Sequence, residues 1–331
     1  FYLDLLTRRS FDLDSVKTVA DCVRLPVIPA SFFKYHVALS MAPADSHIYA
    51  TSSGTQGQKT QMYFDRSTLR MGVKMVTRVL HYHGFISPWP VHYIMLGYEP
   101  SEGNPMGSAQ TAMGITRFAP ALRRTFVLRH TPSGYEADAF GALRALQRCQ
   151  RLGLPVRLVG FPSYLHMLLT RLRDMDLRLR LPRRSLVLLG GGWKQYDDRI
   201  IPKEELYAMA EEYLGIPERR CRDFYSAVEH SVAYAECVHH HMHVPIYSRV
   251  IIRDVRNLEP VGYDTPGILS FVTPLVTSAP LTSVMMGDLA VLRDGRECGC
   301  GITSPYFEVL GRAGVSPLRS CAIAASEWME G

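Results

Sequence analysis

The hydrophobic pattern of the chain up to about residue 240 alternates between two forms. Short continuous apolar runs, typical of buried strands, occupy residues 62–64, 91–97, 124–128, 156–159 and 185–189. Apolar residues at helical spacing occupy residues 65–84, 139–152, 163–172 and 204–214. Because strands that alternate with helices form mainly parallel sheets covered by helices on both faces, the pattern predicts an α/β fold.

Three local features sharpen this prediction. Asp65 and Ser163 are typical N-caps, so we expect each to begin a helix. Residues 103–113 are rich in small side chains and predict a loop. The first of the two helices should bury one apolar face, made of Leu69, Val73, Val76 and Leu80.

The pattern changes from about residue 241. Residues 250–254, 267–272 and 289–292 form short apolar runs separated by turns, which predict an antiparallel sheet or small barrel. We therefore expect one large domain over residues 1–313, with its β-rich part at about 241–313. Residues 314–331 are too few for a separate domain and predict a short C-terminal tail.

Composition excludes several classes of protein. The net charge of +6 comes partly from six arginines within residues 171–184, but no groove-reading or aromatic-interleaved motif accompanies them, so we expect no nucleic-acid partner. No apolar run reaches the roughly 18 residues of a membrane span. Seven scattered cysteines argue against a secreted disulfide framework and favour a reducing cytoplasm with metal-binding or catalytic thiols.

Residues 51–60 (TSSGTQGQKT) concentrate the groups that bind phosphates. Two glycines allow a tight turn with several N–H groups facing one anion, while hydroxyls add donors and Lys59 adds a charge. The spacing is not that of a Walker A loop, and a plain surface loop is the alternative. The residues of this stretch that are candidates for binding a nucleotide are Ser52, Ser53, Gly54, Thr55, Gly57 and Lys59.

Further candidates follow later strands. The glycines at 190–192 come directly after a predicted strand, where α/β proteins bind ligands. Tyr225 could stack on a base, and Glu229 could hold Mg²⁺. Asp288 and Arg312, each expected just after a strand, offer a carboxylate for a ribose and a guanidinium for a phosphate. Each of these residues taken alone is more often structural.

Taken in order, these segments resemble the adenylate-forming superfamily, and most of all the acyl-protein synthetase family, the ATP-dependent component of the bacterial luminescence fatty acid reductase. Residues 25–29 (LPVIP), 190–194 (GGGWK), 306–314 (YFEVLGRAG) and the tail around Cys321 carry the resemblance. Phenylacetate-CoA ligases are more distant relatives. The resemblance implies a phosphate loop that contains Lys59 and adenine-binding segments that contain Gly191, Gly192, Tyr225 and Ser226. It also implies that Asp288 binds the ribose and that Arg312 is the arginine of the hinge-side motif.

Two departures from the relatives' pattern matter. The loop reads Thr55-Gln56-Gly57 where relatives more often carry a second threonine. Larger members have a mobile C-terminal domain with a catalytic lysine. We expect no counterpart of that lysine here, so Lys59 or Lys194 would take its role.

The resemblance implies an enzyme that uses ATP and Mg²⁺ to convert a carboxylic acid, most simply a fatty acid, into an acyl-adenylate and then into a thioester. An acyl reductase or carrier protein is the implied partner. Two alternatives stay open. An adenylating ligase could pass the acyl group to coenzyme A, an amine or a carrier protein, and a nucleotide-binding scaffold could have lost turnover.

Two further expectations concern sulfur. Cys298 and Cys300 with Cys237 and a nearby histidine fit a tetrahedral structural zinc site. His243 is chosen from four histidines because its spacing from Cys237 resembles zinc-binding relatives of the phenylacetate-CoA ligase type.

Cys321, near Arg319 in the tail, resembles the cysteine that acyl-protein synthetases acylate. The alternative is that Cys321 is a small buried residue without a chemical role.

Overall fold

A computed structural model describes residues 2–52, 59–101, 107–193 and 200–313 of the chain. These residues form two compact units. The first unit comprises the described residues up to 52, those from 59 to 75 and those from 227 to 313, and the second comprises the described residues of 76–226. No helix in the described ranges is both long and apolar enough to cross a membrane.

The described residues contain seven α-helices and fifteen strands. The helices are α1 (Tyr2–Arg8), α2 (Phe32–Tyr35), α3 (Arg66–Tyr82), α4 (Gly107–Ile115), α5 (Ala139–Leu152), α6 (Pro162–Asp174) and α7 (Lys203–Leu214). The strands are β1 (Ile28–Pro29), β2 (Ile48–Thr51), β3 (Gln61–Phe64), β4 (Val91–Tyr98), β5 (Ala121–Thr131), β6 (Gly134–Ala137), β7 (Val156–Gly160), β8 (Leu186–Gly190), β9 (Cys221–Ala227), β10 (His230–Ala235), β11 (Met242–His243), β12 (Arg249–Arg253), β13 (Gly267–Val272), β14 (Ser283–Arg293) and β15 (Tyr306–Arg312).

The second unit is built on a mainly parallel sheet, as the alternating pattern predicts. Its strands lie in the order β9-β8-β7-β4-β5-β6, and only β6, the return strand of a hairpin with β5, runs antiparallel. Successive residues of β4 point to opposite faces. Ile94 and Leu96 pack into a core with α5, α6 and α7, while Tyr93 and Met95 pack into a second core with Leu80 of α3.

Three local predictions are wrong. Residues 107–115 form helix α4 rather than a loop, because small side chains do not by themselves prevent a helix. Ser163 does not cap α6: Pro162 occupies the first turn, where its missing N–H costs nothing, and the Ser163 hydroxyl is buried without a hydrogen-bond partner in the described chain. Val73 is 54% exposed on α3, and Met75 is buried instead. The Asp65 cap is confirmed, since its Oδ1 accepts the Thr68 N–H at 2.7 Å.

The first unit contains the predicted antiparallel β-rich part. Its strands run β12-β13-β14-β15-β11, and β1 adds to β14 in parallel. Asp288 lies within β14, and Arg312 is the last residue of β15, so neither follows its strand as expected. Charged residues inside these strands hid the full strand length from the hydrophobic pattern.

Two Gly→Ala substitutions should have opposite effects on stability. Gly160 ends β7 with φ +140°, and a Cβ there would overlap the backbone carbonyl of Leu96, so Gly160→Ala should destabilise the fold by at least about 2 kcal/mol. Gly72 lies inside α3 with open space around it, so Gly72→Ala should stabilise by about 0.5–1 kcal/mol. Denaturant unfolding of both variants measures the difference; equal free energies of unfolding would contradict the strain assigned to Gly160.

Candidate active site and metal centre

The base of the glycine-rich loop is held by the β2–β3 hairpin in the first unit. Thr51 pairs with Gln61, and beyond that pair the Ser52 N–H donates to the Thr60 carbonyl at 3.0 Å. The Thr60 N–H returns a bond to Ser52 Oγ at 2.9 Å. Lys59 is exposed at the exit of the loop. The candidate residues between them, Ser53, Gly54, Thr55 and Gly57, lie outside the described residues.

A buried hydrogen bond joins this loop base to the second candidate segment. Thr60 is fully buried, and its hydroxyl donates to Glu229 Oε1 in the turn that precedes β10. Glu229 is itself 8% exposed. The structure therefore brings the end of the phosphate-type loop and the predicted Mg²⁺-binding carboxylate into direct contact, although they are 169 residues apart in sequence. Thr60 is not among the predicted site residues, and its only signal in the sequence is its place beside Lys59 in a hydroxyl-rich stretch.

The residue after Glu229 anchors that turn. His230 is fully buried, its ring stacks on Phe271 at a centroid distance of 4.2 Å, and its Nε2 lies 2.7 Å from the Tyr234 hydroxyl. The Tyr234 hydroxyl in turn lies 2.5 Å from Ser248 Oγ. Burial lowers the pKa of His230 to about 3, so the imidazole is neutral at physiological pH and adds no charge beside Glu229.

Asp288 and Arg312 are cross-strand partners in β14 and β15. They lie directly opposite each other, and Arg312 Nε is 3.2 Å from Asp288 Oδ1. Asp288 is 7% exposed, whereas the Arg312 side chain is 68% exposed. The buried carboxylate is thus held in place, and most of the guanidinium is open to a ligand.

The remaining nucleotide-type candidates lie in the second unit. Gly190 pairs with Phe224, so the glycines that follow β8 and the adjacent Tyr225 lie at the carboxyl ends of neighbouring parallel strands. Gly191 and Gly192 have φ of +82° and +73°, which favours glycine. Ser226 follows Tyr225 within β9. Lys194 lies outside the described residues.

The four predicted metal ligands come together in the first unit. One ligand atom from each of Cys237, His243, Cys298 and Cys300 lies within 4.8 Å of all the others. The sulfurs of Cys237 and Cys298 are 3.6 Å apart, and Cys300 Sγ is 3.2 Å from His243 Nε2. Tetrahedral Zn²⁺ with Zn–S bonds of about 2.3 Å separates two thiolates by about 3.7 Å, so the spacing fits that ion.

Neighbouring groups orient the histidine ligand. His243 Nδ1 lies 2.7 Å from the Ser304 carbonyl, which can only accept, so Nδ1 carries the proton and Nε2 presents its lone pair to the cysteine cluster. Ser304 is held close by Gly295, where a Cβ would overlap the Ser304 carbonyl oxygen. His239 and His240 have other partners, the Cys298 carbonyl and the Glu236 carboxylate.

A fourth histidine supports the cluster from outside. His241 Nδ1 lies 3.1 Å from Cys298 Sγ, and its ring stacks on Tyr306 at 4.2 Å. Burial by itself raises the pKa of the Cys237 thiol, but hydrogen bonds from His243 and from nearby backbone outweigh it and lower that pKa to about 6. Burial raises the pKa of Cys298 to about 12. A cation bound among these residues would stabilise all three thiolates together.

Cys321 lies outside the described residues, so its predicted role stays a prediction. The six described cysteines are all free thiols; these are Cys22, Cys149, Cys221, Cys237, Cys298 and Cys300.

Comparison with known families and proteins gives consistent matches over most of the chain. A family model described as "Acyl-protein synthetase, LuxE" matches residues 8–330. A protein of Vibrio harveyi named long-chain-fatty-acid–luciferin-component ligase is 22% identical over 314 residues, covering 94% of this chain and 80% of that protein. The protein of the same name from Aliivibrio fischeri is 22% identical over 318 residues, covering 94% and 79%.

Solved structures share the fold. An open conformation of 2-hydroxyisobutyryl-CoA ligase, in complex with 2-HIB-AMP and CoA, matches with a TM-score of 0.70 and 18% identity, over 95% of this chain and 70% of that one. ATP-bound MatB from Rhodopseudomonas palustris matches with a TM-score of 0.52 and 14% identity, over 82% and 49%. These neighbours are adenylate-forming ligases, so the expected fold class is confirmed.

Proposed function

This chain belongs to the LuxE acyl-protein synthetase family, and on that premise we propose that it activates a fatty acid with ATP and then carries the acyl group as a thioester. The names of the two luminous-bacterium relatives support a long-chain fatty acid as the substrate. An acyl reductase that takes the acyl group from this protein is the proposed partner.

The hydrogen bond from Thr60 to Glu229 is the observation that carries the proposal. It joins the end of the loop that would bind the phosphates to the carboxylate that would hold Mg²⁺, inside one compact unit. Full burial of a threonine hydroxyl against a carboxylate costs free energy and is not expected in a plain surface loop. Carboxylate and hydroxyl oxygens are also the ligand types that Mg²⁺ prefers, so these two residues fit that ion.

The chemistry proceeds in two balanced steps. A carboxylate oxygen of the fatty acid attacks the α-phosphorus of ATP, the bond to the bridging oxygen breaks, and pyrophosphate leaves. A thiolate then attacks the acyl carbon of the adenylate, and AMP leaves with the electron pair of the broken C–O bond. The first step concentrates negative charge on the phosphates, so cationic and N–H donors fixed in advance lower its barrier.

Each candidate residue has a proposed role in these steps. Lys59 and the loop N–H groups bind the β- and γ-phosphates, and Arg312 contacts the α-phosphate. Asp288, buried and pre-oriented, accepts hydrogen bonds from the ribose hydroxyls. Tyr225 stacks on the adenine beside the glycines at 191 and 192. Lys194 is the second candidate for the lysine of the adenylation step.

Pyrophosphate exchange tests the nucleotide assignment. Lys59→Ala removes one fixed charge at the phosphates, so ATP–pyrophosphate exchange with a panel of fatty acids should fall roughly a hundredfold. Lys74→Ala is the matched control, because Lys74 is an exposed lysine of α3 in the same unit. If the parent protein shows no exchange with any acid, the scaffold alternative stands; if Lys59→Ala exchanges as fast as Lys74→Ala, the loop assignment is wrong.

We also propose that the Cys237, His243, Cys298 and Cys300 cluster holds a structural Zn²⁺. Four protein ligands leave no open position for a substrate or water, which is the pattern of structural rather than catalytic zinc. The cluster ties the segments after β10 to the β14–β15 hairpin. The ion's contribution would therefore be to the fold of the strands that carry Asp288 and Arg312.

A second candidate function differs only in the acceptor. The neighbouring solved structure with 2-HIB-AMP and CoA is a CoA ligase, so coenzyme A is the alternative acyl acceptor. Adding coenzyme A to the protein with ATP and fatty acid distinguishes the two: formation of free acyl-CoA favours the CoA ligase, and label retained on the protein favours the acyl-protein synthetase.

A further inference from the structure

Arginines gather where the parallel strands of the second unit begin. Arg157, the second residue of β7, lies opposite Tyr93 of β4, and Leu186 of β8 lies on its other side. Tyr93 is in turn opposite Arg124 of β5. This end of the sheet is opposite to the carboxyl ends that carry the glycines at 190–192, so the arginines have no place in the nucleotide chemistry proposed above.

Arg157 is the innermost of these residues. Its side chain is only 3% exposed, and its Nε and Nη1 have no hydrogen-bond partner among the described residues. Its guanidinium carbon lies 6.0 Å from the Tyr93 ring centroid. Burial lowers the pKa of Arg157, and a hydrogen bond with the Tyr93 side chain offsets only part of that penalty on its charge. A buried cation with free donors requires an anion or a hydrogen-bond acceptor to offset that penalty.

The neighbours of Arg157 are cations as well. Arg220 directly precedes Cys221, which lies opposite Val187 of β8, and the neighbouring Leu186 lies opposite Arg157. The start of β9 is therefore one strand beyond the neighbour of Arg157, and the charge of Arg220 contributes to lowering the pKa of Arg157. Burial, followed by the charges of Arg219, Arg183 and Arg184, lowers the pKa of Arg220. Within the described residues, no ion pair joins Arg157 or Arg220 to a carboxylate. Arg178, by contrast, lies within ion-pair distance of two carboxylates.

The turns that carry these arginines are held in fixed positions. The Ser185 N–H donates to the Pro182 carbonyl at 2.8 Å, and Ser185 Oγ accepts the N–H of Val156, the residue before Arg157, at 3.0 Å. The Arg220 N–H donates to the Pro217 carbonyl at 2.8 Å. These hydrogen bonds hold the turn that carries Arg183 and Arg184 beside the start of β7 and fix the turn that carries Arg220.

Arg184 has an aromatic neighbour. The guanidinium carbon of Arg184 lies 5.8 Å from the ring centroid of Trp89, which is 59% exposed. Stacking on an indole face restricts a guanidinium without using its N–H donors. Arg184 thus keeps its donors available to a ligand.

We propose that Arg157, Arg183, Arg184 and Arg220 form a second anion site, specific for a phosphoryl group and separate from the nucleotide loop. The fork of N–H donors on each guanidinium matches the oxygens of a phosphate, and a dianion offsets the charge of several arginines at once. Arg157 contributes two donors, Nε and Nη1, that have no partner among the described residues, and these suit a terminal phosphate. That phosphate is either free or part of a monoester.

Binding of inorganic phosphate to the full chain tests the site. Isothermal titration with sodium phosphate, at an ionic strength held constant with sodium chloride, should show binding that Arg220→Gln weakens roughly tenfold or more, the effect of losing one charge-assisted contact. Arg178→Gln is the matched control and should bind phosphate as the parent does. Lys59→Ala should also retain the binding. Loss in Lys59→Ala with retention in Arg220→Gln would assign the phosphate to the nucleotide loop and overturn the proposal.

A stability measurement separates a binding role from a structural one. Arg157→Met removes the buried charge and keeps the volume, so the melting temperature without phosphate should stay unchanged or rise, while the rise caused by phosphate should disappear. A lower melting temperature without phosphate, together with an undiminished response to phosphate, would show a purely structural arginine. Titration with glycerol 3-phosphate against glycerol identifies the source: tighter binding of the ester than of phosphate indicates a monoester ligand, and equal binding indicates free phosphate.

Discussion

A Cys321→Ser variant should still form acyl-adenylate but retain no thioester. With ATP, Mg²⁺ and a labelled fatty acid, the parent protein should carry label that hydroxylamine releases, and the variant should carry at most a few per cent of it, because a serine hydroxyl is a far weaker nucleophile than a thiolate. Pyrophosphate exchange should remain near the parent rate, since the first step does not use the thiol.

Cys22→Ser is the control for this experiment. Cys22 is a partly exposed free thiol of the first unit, so losing it removes one accessible cysteine without touching the tail. Its label should match that of the parent. Undiminished thioester labelling of Cys321→Ser would exclude the tail cysteine as acceptor, and equal loss in both variants would indicate a general effect of thiol removal.

Loss of one proposed metal ligand should strongly destabilise the first unit. Cys237→Ser should abolish stoichiometric zinc in protein purified without a histidine tag. The free energy of unfolding should fall by at least about 3 kcal/mol, because metal binding free energy at a structural site is folding free energy. Cys237 is 2% exposed and lies 3.6 Å from Cys298, so the vacated position would also leave a buried polar group beside unpaired thiols.

Metal analysis and unfolding must be measured together. Cys22→Ser should keep both the zinc content and the stability of the parent, since Cys22 is outside the cluster. A chelator added to the parent should reproduce the instability of Cys237→Ser. If the folded parent protein contains no more than a trace of zinc, the proposed site is wrong. A Cys237→Ser variant that keeps the full zinc content of the parent would also contradict it.

The architecture was predictable from the sequence where one physical signal dominated. Buried parallel strands such as β4 and β7 are continuous apolar runs, and amphipathic helices such as α5 keep their spacing, so both were found. α4 was missed because its small residues give almost no amphipathic pattern. β1 was missed because two residues that pair with a distant strand leave no local signal.

In the candidate site, residue types could be predicted from the sequence, but contacts between segments far apart in the chain could not. The metal ligands could be named because cysteine and histidine types are few, and family resemblance selected His243 from its neighbours. The contact of Thr60 with Glu229 could not be derived, because it depends on how two segments 169 residues apart meet. Arg157 gave no signal either, since a lone arginine in an apolar run indicates nothing until its neighbours in space are known.

The close approach of Gly295 to Ser304 limits which substitutions the proposed metal centre can tolerate. The carbonyl that orients the His243 imidazole is in place only because position 295 has no side chain. The Ser304 carbonyl thus turns the imidazole toward the Cys300 thiol in the structure without an ion. Selection on the metal centre must then extend to a residue that has no donor atom, and a relative that kept all four ligands but gained a side chain at 295 would have to rebuild the loop that carries Cys298 and Cys300.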